Sequence, residues 1–361
     1  MSALGYAIGN VASSVALVLV NKKVFAGGFH FPMTLSFFHF VFTVIWYQLL
    51  AMAGAYSQPA EGQGMPQFEK FKVAAAGFAS IGFMNLSLNT NSVGFYQITK
   101  LTIIPVTLVI NAMAYGVHTS AKIKVALSIL LAGVGVATVT DVELRPLGLG
   151  FGGLAVGTTA VFQIWQGTKQ KEFGISATQL QAGIAPWQSF QALVVAAATE
   201  MYCWDPAAPT PYADGKCDTA VAFFQSAFAG NAERVHTLWI VLGTCFLALA
   251  VNLCSFGLIG RTSPITFQVV GHAKTCLVLV GGYVLFPSKL ADTQALYNNI
   301  AGVSVAMVGV ILYGHLKQAQ GNDASDCMDS TCPSCILSII EPRYSAASRE
   351  ETEGLRTTSS S

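Results

Sequence analysis

Charge is what this sequence has least of. Only 10% of its 361 residues are Asp, Glu, Lys or Arg, against about 25% in an ordinary soluble domain. Of the 19 basic and 18 acidic residues, ten lie beyond Lys317, so the chain before that point is poorer still. A soluble enzyme is excluded, because too few ionic groups remain to cover a water-facing surface. The net charge of +1 supplies no polyelectrolyte character and argues against nucleic acid as a partner. HExxH, P-loop and GxSxG motifs are absent, and phosphate-handling membrane enzymes generally need acidic metal ligands at the interface. The chain therefore reads as a non-enzyme without cofactor or metal. Its eight cysteines are not a scaffold: Cys327, Cys332 and Cys335 lack a fourth zinc ligand and, near a membrane exit, read as sites of reversible lipidation.

What is abundant is apolar sequence, at 53%. A bilayer-spanning helix needs about 20 mostly apolar residues. Runs of that kind, bounded by polar or Pro-containing breaks, fall at roughly 3–25, 33–55, 71–91, 93–116, 123–140, 148–168, 179–202, 237–259, 264–286 and 293–316. The expected fold is an all-α polytopic membrane protein of ten transmembrane helices, with the lipid bilayer as its partner. The first run lacks a basic n-region and is too long for a signal-peptide core, so it reads as the first span. An even number of spans puts both ends on one side. With cytosolic termini, eight basic residues face the cytosol and six the lumen, among them Lys70, Lys72, Lys169 and Lys171 on the cytosolic side. Residues 203–236 form a lumenal insertion whose Cys203 and Cys217 are placed to form a disulfide worth about 3 kcal/mol. Residues 318–361 read as a disordered cytosolic tail, polar and Ser-rich.

Weak internal repetition divides the rest. Asn85-Leu86-Ser87 is followed by Phe95-Tyr96-Gln97 and Lys100; Asn252-Leu253-Cys254 is followed by Thr266-Phe267-Gln268 and Lys274. Each lysine lies in the fourth helix of a five-helix half. Five is odd, so the halves, 1–145 and 146–317, are expected as inverted repeats, an arrangement that places a binding site near the bilayer midplane.

Lys100 and Lys274 are the charges these spans bury most deeply. An ammonium at a helix centre costs about 2.5–3.5 kcal/mol on the insertion scale, and Lys274 sits ~16 Å from either end of its span. The spans place no Asp or Glu at that depth, which also argues against a carboxylate proton relay. An anionic ligand, a diphosphate or phosphate monoester, suits two such cations. Tyr96 at i−4 and Gln97 at i−3 from Lys100 share its side of the helix. On the other helix Thr266, Gln268, Gly271 and His272 precede Lys274, and Gly271 would let a ligand approach the backbone. Asn85 and Asn252 are either site residues or helix–helix hydrogen-bonding groups. Tyr283, Trp187, Gln188 and Gln191 are candidates to contact a base or sugar, and His39 reads as a packing or hydrogen-bonding residue.

The segments Val20-Asn21-Lys22-Lys23, Gly94-Phe95-Tyr96-Gln97-Ile98-Thr99-Lys100-Leu101-Thr102-Ile103-Ile104-Pro105, Thr140-Asp141-Val142-Glu143 and Ile259 through Lys274-Thr275 resemble the nucleotide-sugar and triose-phosphate transporters of the drug/metabolite transporter superfamily. Lys274-Thr275 is similar to the KT subgroup, which includes plant UDP-xylose and UDP-galactose/rhamnose transporters. The resemblance covers about residues 5–317 and adds Asn21 and Lys22 to the candidate site. It implies a Golgi or ER antiporter that exchanges a cytosolic UDP-sugar for lumenal UMP. Plastid phosphate translocators carry Lys-Arg where this chain has Lys274-Thr275, and a His and a Ser/Thr where it has Ile81 and Met84, which speaks against triose phosphate. The Phe-Tyr-Asn-Asn motif of GDP-mannose carriers is not evident in Gln181 to Gln188. Xylose, galactose, rhamnose and arabinose all stay open as the sugar. A phosphorylated-sugar exchanger and a non-transporting membrane scaffold are the alternative readings.

Overall fold

The computed structural model describes residues 2–59, 64–90, 93–138, 146–202, 219–285, 293–321 and 327–328. These residues form eleven helices and no strand: α1 (Ala3–Ala26), α2 (Pro32–Met52), α3 (Gln67–Thr90), α4 (Val93–Tyr115), α5 (Ala121–Thr138), α6 (Pro146–Glu172), α7 (Ala177–Thr199), α8 (Ala220–Phe228), α9 (Ala232–Arg261), α10 (Pro264–Leu285) and α11 (Thr293–Gly321). Stretches of α1, α2, α4, α6, α9 and α11 are long and apolar enough to cross a membrane, as a multi-pass protein requires. Local signals start the helices where expected. Pro32, Pro146 and Pro264 open α2, α6 and α10, positions where a missing N–H costs nothing. The Ser176 hydroxyl accepts from the Gln179 N–H while the Gln179 side chain accepts from the Ser176 N–H, a reciprocal cap on α7. Gly28, at φ +82°, turns the chain out of α1.

The insertion expected as a loop over 203–236 is partly helical. Residues 203–218, with Cys203 and Cys217, lie outside the described residues. Beyond them α8 buries Ala220, Phe223 and Ala227, an i, i+3, i+7 stripe. Phe223 meets Phe29 edge-on at 5.0 Å between ring centres. Asn231 caps α9 by accepting from the N–H groups of Glu233 and Arg234, so that helix begins at Ala232 rather than 237. Hydropathy misses this start because the first turn of α9 is charged. α11 likewise runs to Gly321, past the expected beginning of the tail.

The helices group into two units. One comprises Met1–Ile110 and Glu143–Gly271, the other Asn111–Val142 and His272–Ser361. In the first, α3 packs on α6, α1 on α9 and α2 on α7. Its two ends carry different polar clusters. At one, the Glu69 carboxylate pairs with Lys72 and, at 3.0 Å, with Lys169, whose ammonium also reaches Glu172 at 2.9 Å. The hydrogen bonds from Lys72 and Lys169 hold the Glu69 carboxyl below the usual carboxylate range. At the other, Glu200 accepts from the N–H groups of Met33 and Thr34 and from the Thr34 hydroxyl, each at 2.7 Å. That carboxylate caps the start of α2, where orphan N–H groups and the helix dipole favour an anion.

In the second unit, α5 and α11 approach until their backbones touch. A Cβ on Gly302 would lie 2.7 Å from the Gly133 carbonyl oxygen and 2.9 Å from the Ala137 Cα. Glycines are required there because helices in lipid associate through close van der Waals packing rather than a hydrophobic driving force. Gly302→Leu is therefore expected to lower stability by about 1–3 kcal/mol or more, read as a drop in the thermal midpoint in detergent. Gly314→Leu on the same helix, with nothing within 4 Å of the added Cβ, is the control; equal midpoints for the two would show that the contact is not tight.

Candidate substrate-binding site

A cavity of about 610 Å³ runs through the first unit, in the size range of small-molecule sites. Its apolar walls include Phe25 of α1, Phe40 of α2, Phe162 of α6 and Phe256 of α9. Its polar groups are Asn21, His30, Ser36, His39, Thr43, Gln181, Gln188 and Asn252. None of the described residues lining it is Asp, Glu, Lys or Arg. The cavity is thus a set of amide, hydroxyl and imidazole groups in apolar walls, suited to ligands that carry amides and hydroxyls.

Helix periodicity brings these groups together. Ser36, His39 and Thr43 fall at i, i+3 and i+7 on α2, and Gln181 and Gln188 at i and i+7 on α7, so each set lies on one face. Hydrogen bonds then fix them. The Thr43 hydroxyl donates to the His39 carbonyl at 2.9 Å. The Thr244 hydroxyl lies 2.6 Å from the Val241 carbonyl and 2.9 Å from His39 Nε2, which ties the imidazole to α9. Tyr47 donates its hydroxyl to Gln181 Oε1 at 2.9 Å across the α2–α7 contact. Gln181 is only 2% exposed, and its Nε2 has no hydrogen-bond partner among the described residues. The Oδ1 of Asn21 is in the same position. A buried amide left half-satisfied beside a cavity costs about 1–3 kcal/mol, a deficit that a bound polar ligand removes.

The candidate residues read from the sequence are distributed unevenly. Asn21 lines the cavity. Gln268 is buried on α10 and donates to Gln163 Oε1 of α6 at 2.8 Å. Thr266 sits in the first turn of α10, where its N–H and hydroxyl meet the Ser263 hydroxyl at 3.1 and 3.0 Å. Gly271 and His272 follow on α10, half-buried and buried, and Lys274 one turn on from Val270 is half-buried. Lys100 is half-buried on α4 and does not border the cavity. The side chains of Lys22, Asn85, Tyr96, Gln97 and Tyr283 lie outside the described residues.

Sequence reasoning passed over Ser36, Thr43 and Gln181, and weighed His39 and Asn252 without placing them in the candidate site. The signal available was polar residues recurring at three, four or seven within otherwise apolar runs. The role of Glu200 had no such signal, since it caps a helix 166 residues away along the chain.

The whole length of the apolar region matches one family model. Residues 4–314 fit the triose-phosphate transporter family. The chain belongs to that family. Among its relatives, UDP-xylose transporter 3 of Arabidopsis thaliana is 36% identical over 344 residues, 93% of this chain and 87% of the relative. UDP-xylose transporter 2 of the same plant is 38% identical over 308 residues, 85% and 79% of the two chains. UDP-rhamnose/UDP-galactose transporter 1 is 32% identical over 309 residues, 84% and 80%. The family and these relatives are transporters, not enzymes, and the triose-phosphate transporter family assignment covers every helix from α1 to most of α11.

Within that family member the Tyr47–Gln181 bond is open to a direct test. Tyr47→Phe strands Gln181 Oε1 in a buried site, for an expected loss of about 1–3 kcal/mol. The double variant Tyr47→Phe, Gln181→Met, which replaces both polar partners, should recover most of it. Thermal unfolding of the purified protein compares the three; a Tyr47→Phe midpoint equal to wild type would show that the bond contributes nothing to stability.

Proposed function

We propose that this chain is a nucleotide-sugar antiporter of the Golgi or ER membrane, moving a cytosolic UDP-sugar of the xylose, galactose or rhamnose type inward and nucleoside monophosphate, UMP, outward by alternating access. The observation that carries the reading is the extent of similarity to plant UDP-sugar transporters, over four-fifths or more of this chain at 32–38% identity. The cavity supports it. A uracil ring and a pentose or hexose present carbonyl, N–H and hydroxyl groups but no charge, and Asn21, Ser36, Thr43, Gln181, Gln188 and Asn252 are uncharged partners of the same kind. On this reading ten helices form two inverted five-helix repeats, 1–145 and 146–317, with both termini in the cytosol. Lys100 on α4 and Lys274 on α10 take the phosphates in the nucleotide-bound states.

Charge balance then predicts exchange rather than one-way transport. Two ammoniums enter the state closed to both sides, each at a cost of about 2.5–3.5 kcal/mol on the insertion scale. A UDP-sugar brings two negative charges and UMP about −1.5 to −2, so either ligand offsets the pair. If even about 3 kcal/mol of the empty barrier survives local hydration and the contacts each lysine makes within the protein, loaded reorientation outruns empty return by roughly a hundredfold.

Labelled UDP-sugar uptake into proteoliposomes tests this, using a panel of sugars and vesicles either empty or preloaded with UMP. Uptake should be fast only into preloaded vesicles. Equal initial rates would show that the unloaded carrier returns freely, and no uptake of any UDP-sugar would overturn the assignment. In the same assay Lys274→Ala should abolish exchange and Lys100→Ala reduce it severely, with both proteins still inserted; near wild-type transport by either would remove that lysine from the site.

A further inference from the structure

A second cavity, of about 430 Å³, lies in the same unit. Along α2 it begins where the first cavity stops: Phe40 and Thr43 border the first, Val44, Tyr47 and Gln48 the second. α7 divides by face instead, with Gln181, Ala185 and Gln188 turned to the first and Ala182, Gly183 and Pro186 to the second. The buried Tyr47–Gln181 hydrogen bond, made between a residue of one lining and a residue of the other, is therefore part of the wall between them.

The two cavities differ in charge. The second holds one cation, Lys70, and no described carboxylate. The neighbouring Glu69 is engaged by Lys72 and Lys169, while the Lys70 ammonium makes no ion pair or hydrogen bond with the described residues. Its position is built. A Cβ on Gly183 would stand 3.3 Å from Lys70 Cε and 3.6 Å from Cδ, so the glycine lets the lysine stem lie along α7. Aromatic rings beside it are also held. The Trp187 indole donates to Gln67 Oε1 at 3.2 Å and meets the Phe71 edge at 5.4 Å. Tyr56 packs on Tyr47 with ring centres 5.1 Å apart.

We propose that this cavity is an outer nucleotide site, in which Lys70 takes phosphate oxygens and the ring faces of Trp187 and Tyr56 take the base, holding the ligand outside the Tyr47–Gln181 wall before it reaches the first cavity. The proposal rests on the nucleotide-sugar reading above. A lysine draws a phosphate by charge alone, and a lipid headgroup offers the same group. The two aromatic rings, each held by its own neighbour, and the amides of Gln48 and Gln58 favour a ligand that also carries a base.

The test uses the full chain in vesicles of phosphatidylcholine alone. UMP titration should quench tryptophan fluorescence, and the quenching should be lost in Trp187→Phe and weakened in Lys70→Gln. For UDP-sugar entering from the face that carries Lys70, Lys70→Gln should raise the apparent KM about three- to tenfold, and Lys70→Arg should restore it. Gly183→Leu, which displaces the lysine stem without changing any charge, should raise KM as Lys70→Gln does. Unchanged KM and unchanged quenching in Lys70→Gln would overturn the proposal. So would a Lys70→Gln effect that appears only when anionic lipid is added, which would assign the cavity to a headgroup. Failure of the wild-type protein to move any UDP-sugar would instead remove the functional reading, and UMP quenching of Trp187 would still report the outer site by itself.

Discussion

A backbone N–H or C=O facing hydrocarbon without a partner costs several kcal/mol, and this constraint governs the molecule from secondary structure to site. It makes every described element helical. It then acts on the polar side chains, which in such an interior must pair or border a space that a ligand or water fills. Asn10 donates to Ser255 at 2.8 Å, Ser80 meets Thr159 at 2.7 Å, and Gln268 donates to Gln163 at 2.8 Å, each joining two helices. Asn21 and Gln181 are each left with an amide atom that no group among the described residues satisfies, and both border the larger cavity. The polar residues of the apolar segments thus sort into those that hold helices together and those kept for something else.

The antiparallel pair α2 and α7 shows how the same chemistry shapes the cavity. At one end of the pair Glu200, just past α7, accepts from the first N–H groups of α2. Toward the other end Tyr47 of α2 donates to Gln181 of α7. Between these two clips the facing surfaces carry His39, Thr43 and Gln188 into the cavity. Separating the helices at either end breaks one clip and leaves the other, a geometry that suits a carrier opening to one side at a time on the proposed reading.

Lys70, Lys100 and Lys274 and the large cavity's polar lining fall on different stretches of the chain. Among the described residues the large cavity's lining holds no Asp, Glu, Lys or Arg, while lysines stand on α4, on α10 and at the border of the second cavity. Neutral amides distinguish ligands by the placement of donors and acceptors, since an unmatched amide leaves a buried group unpaired. A lysine acts as a point charge on any phosphate. On the functional proposal the nucleotide's uncharged parts are thus read in one place and its charge is offset by groups on other helices.

Composition and hydropathy were enough to specify a helical membrane chain and to locate its long helices to within a few residues, because burial in lipid imposes an apolar requirement on nearly every residue of a span. The motifs around Lys100 and Lys274 were enough to identify the family, since they are long and local. Charged helix starts, such as Glu233 and Arg234 in α9, escaped that reading because hydropathy responds to the apolar body and not to the cap. The cavity was legible only in fragments. Ser36, His39, Thr43 and Gln181 are individually unremarked polar residues, and what joins them is the packing of α2 on α7 between positions some 140 residues apart. Whether a given amide pairs with a neighbour, as Gln163 does, or keeps an open valence, as Gln181 does, depends on which helix stands opposite. Sequence thus determined which segments form long apolar helices; tertiary packing decided which polar groups pair with one another and which border a cavity, because hydrogen-bond satisfaction is a property of neighbours in three dimensions and not of spacing along the chain.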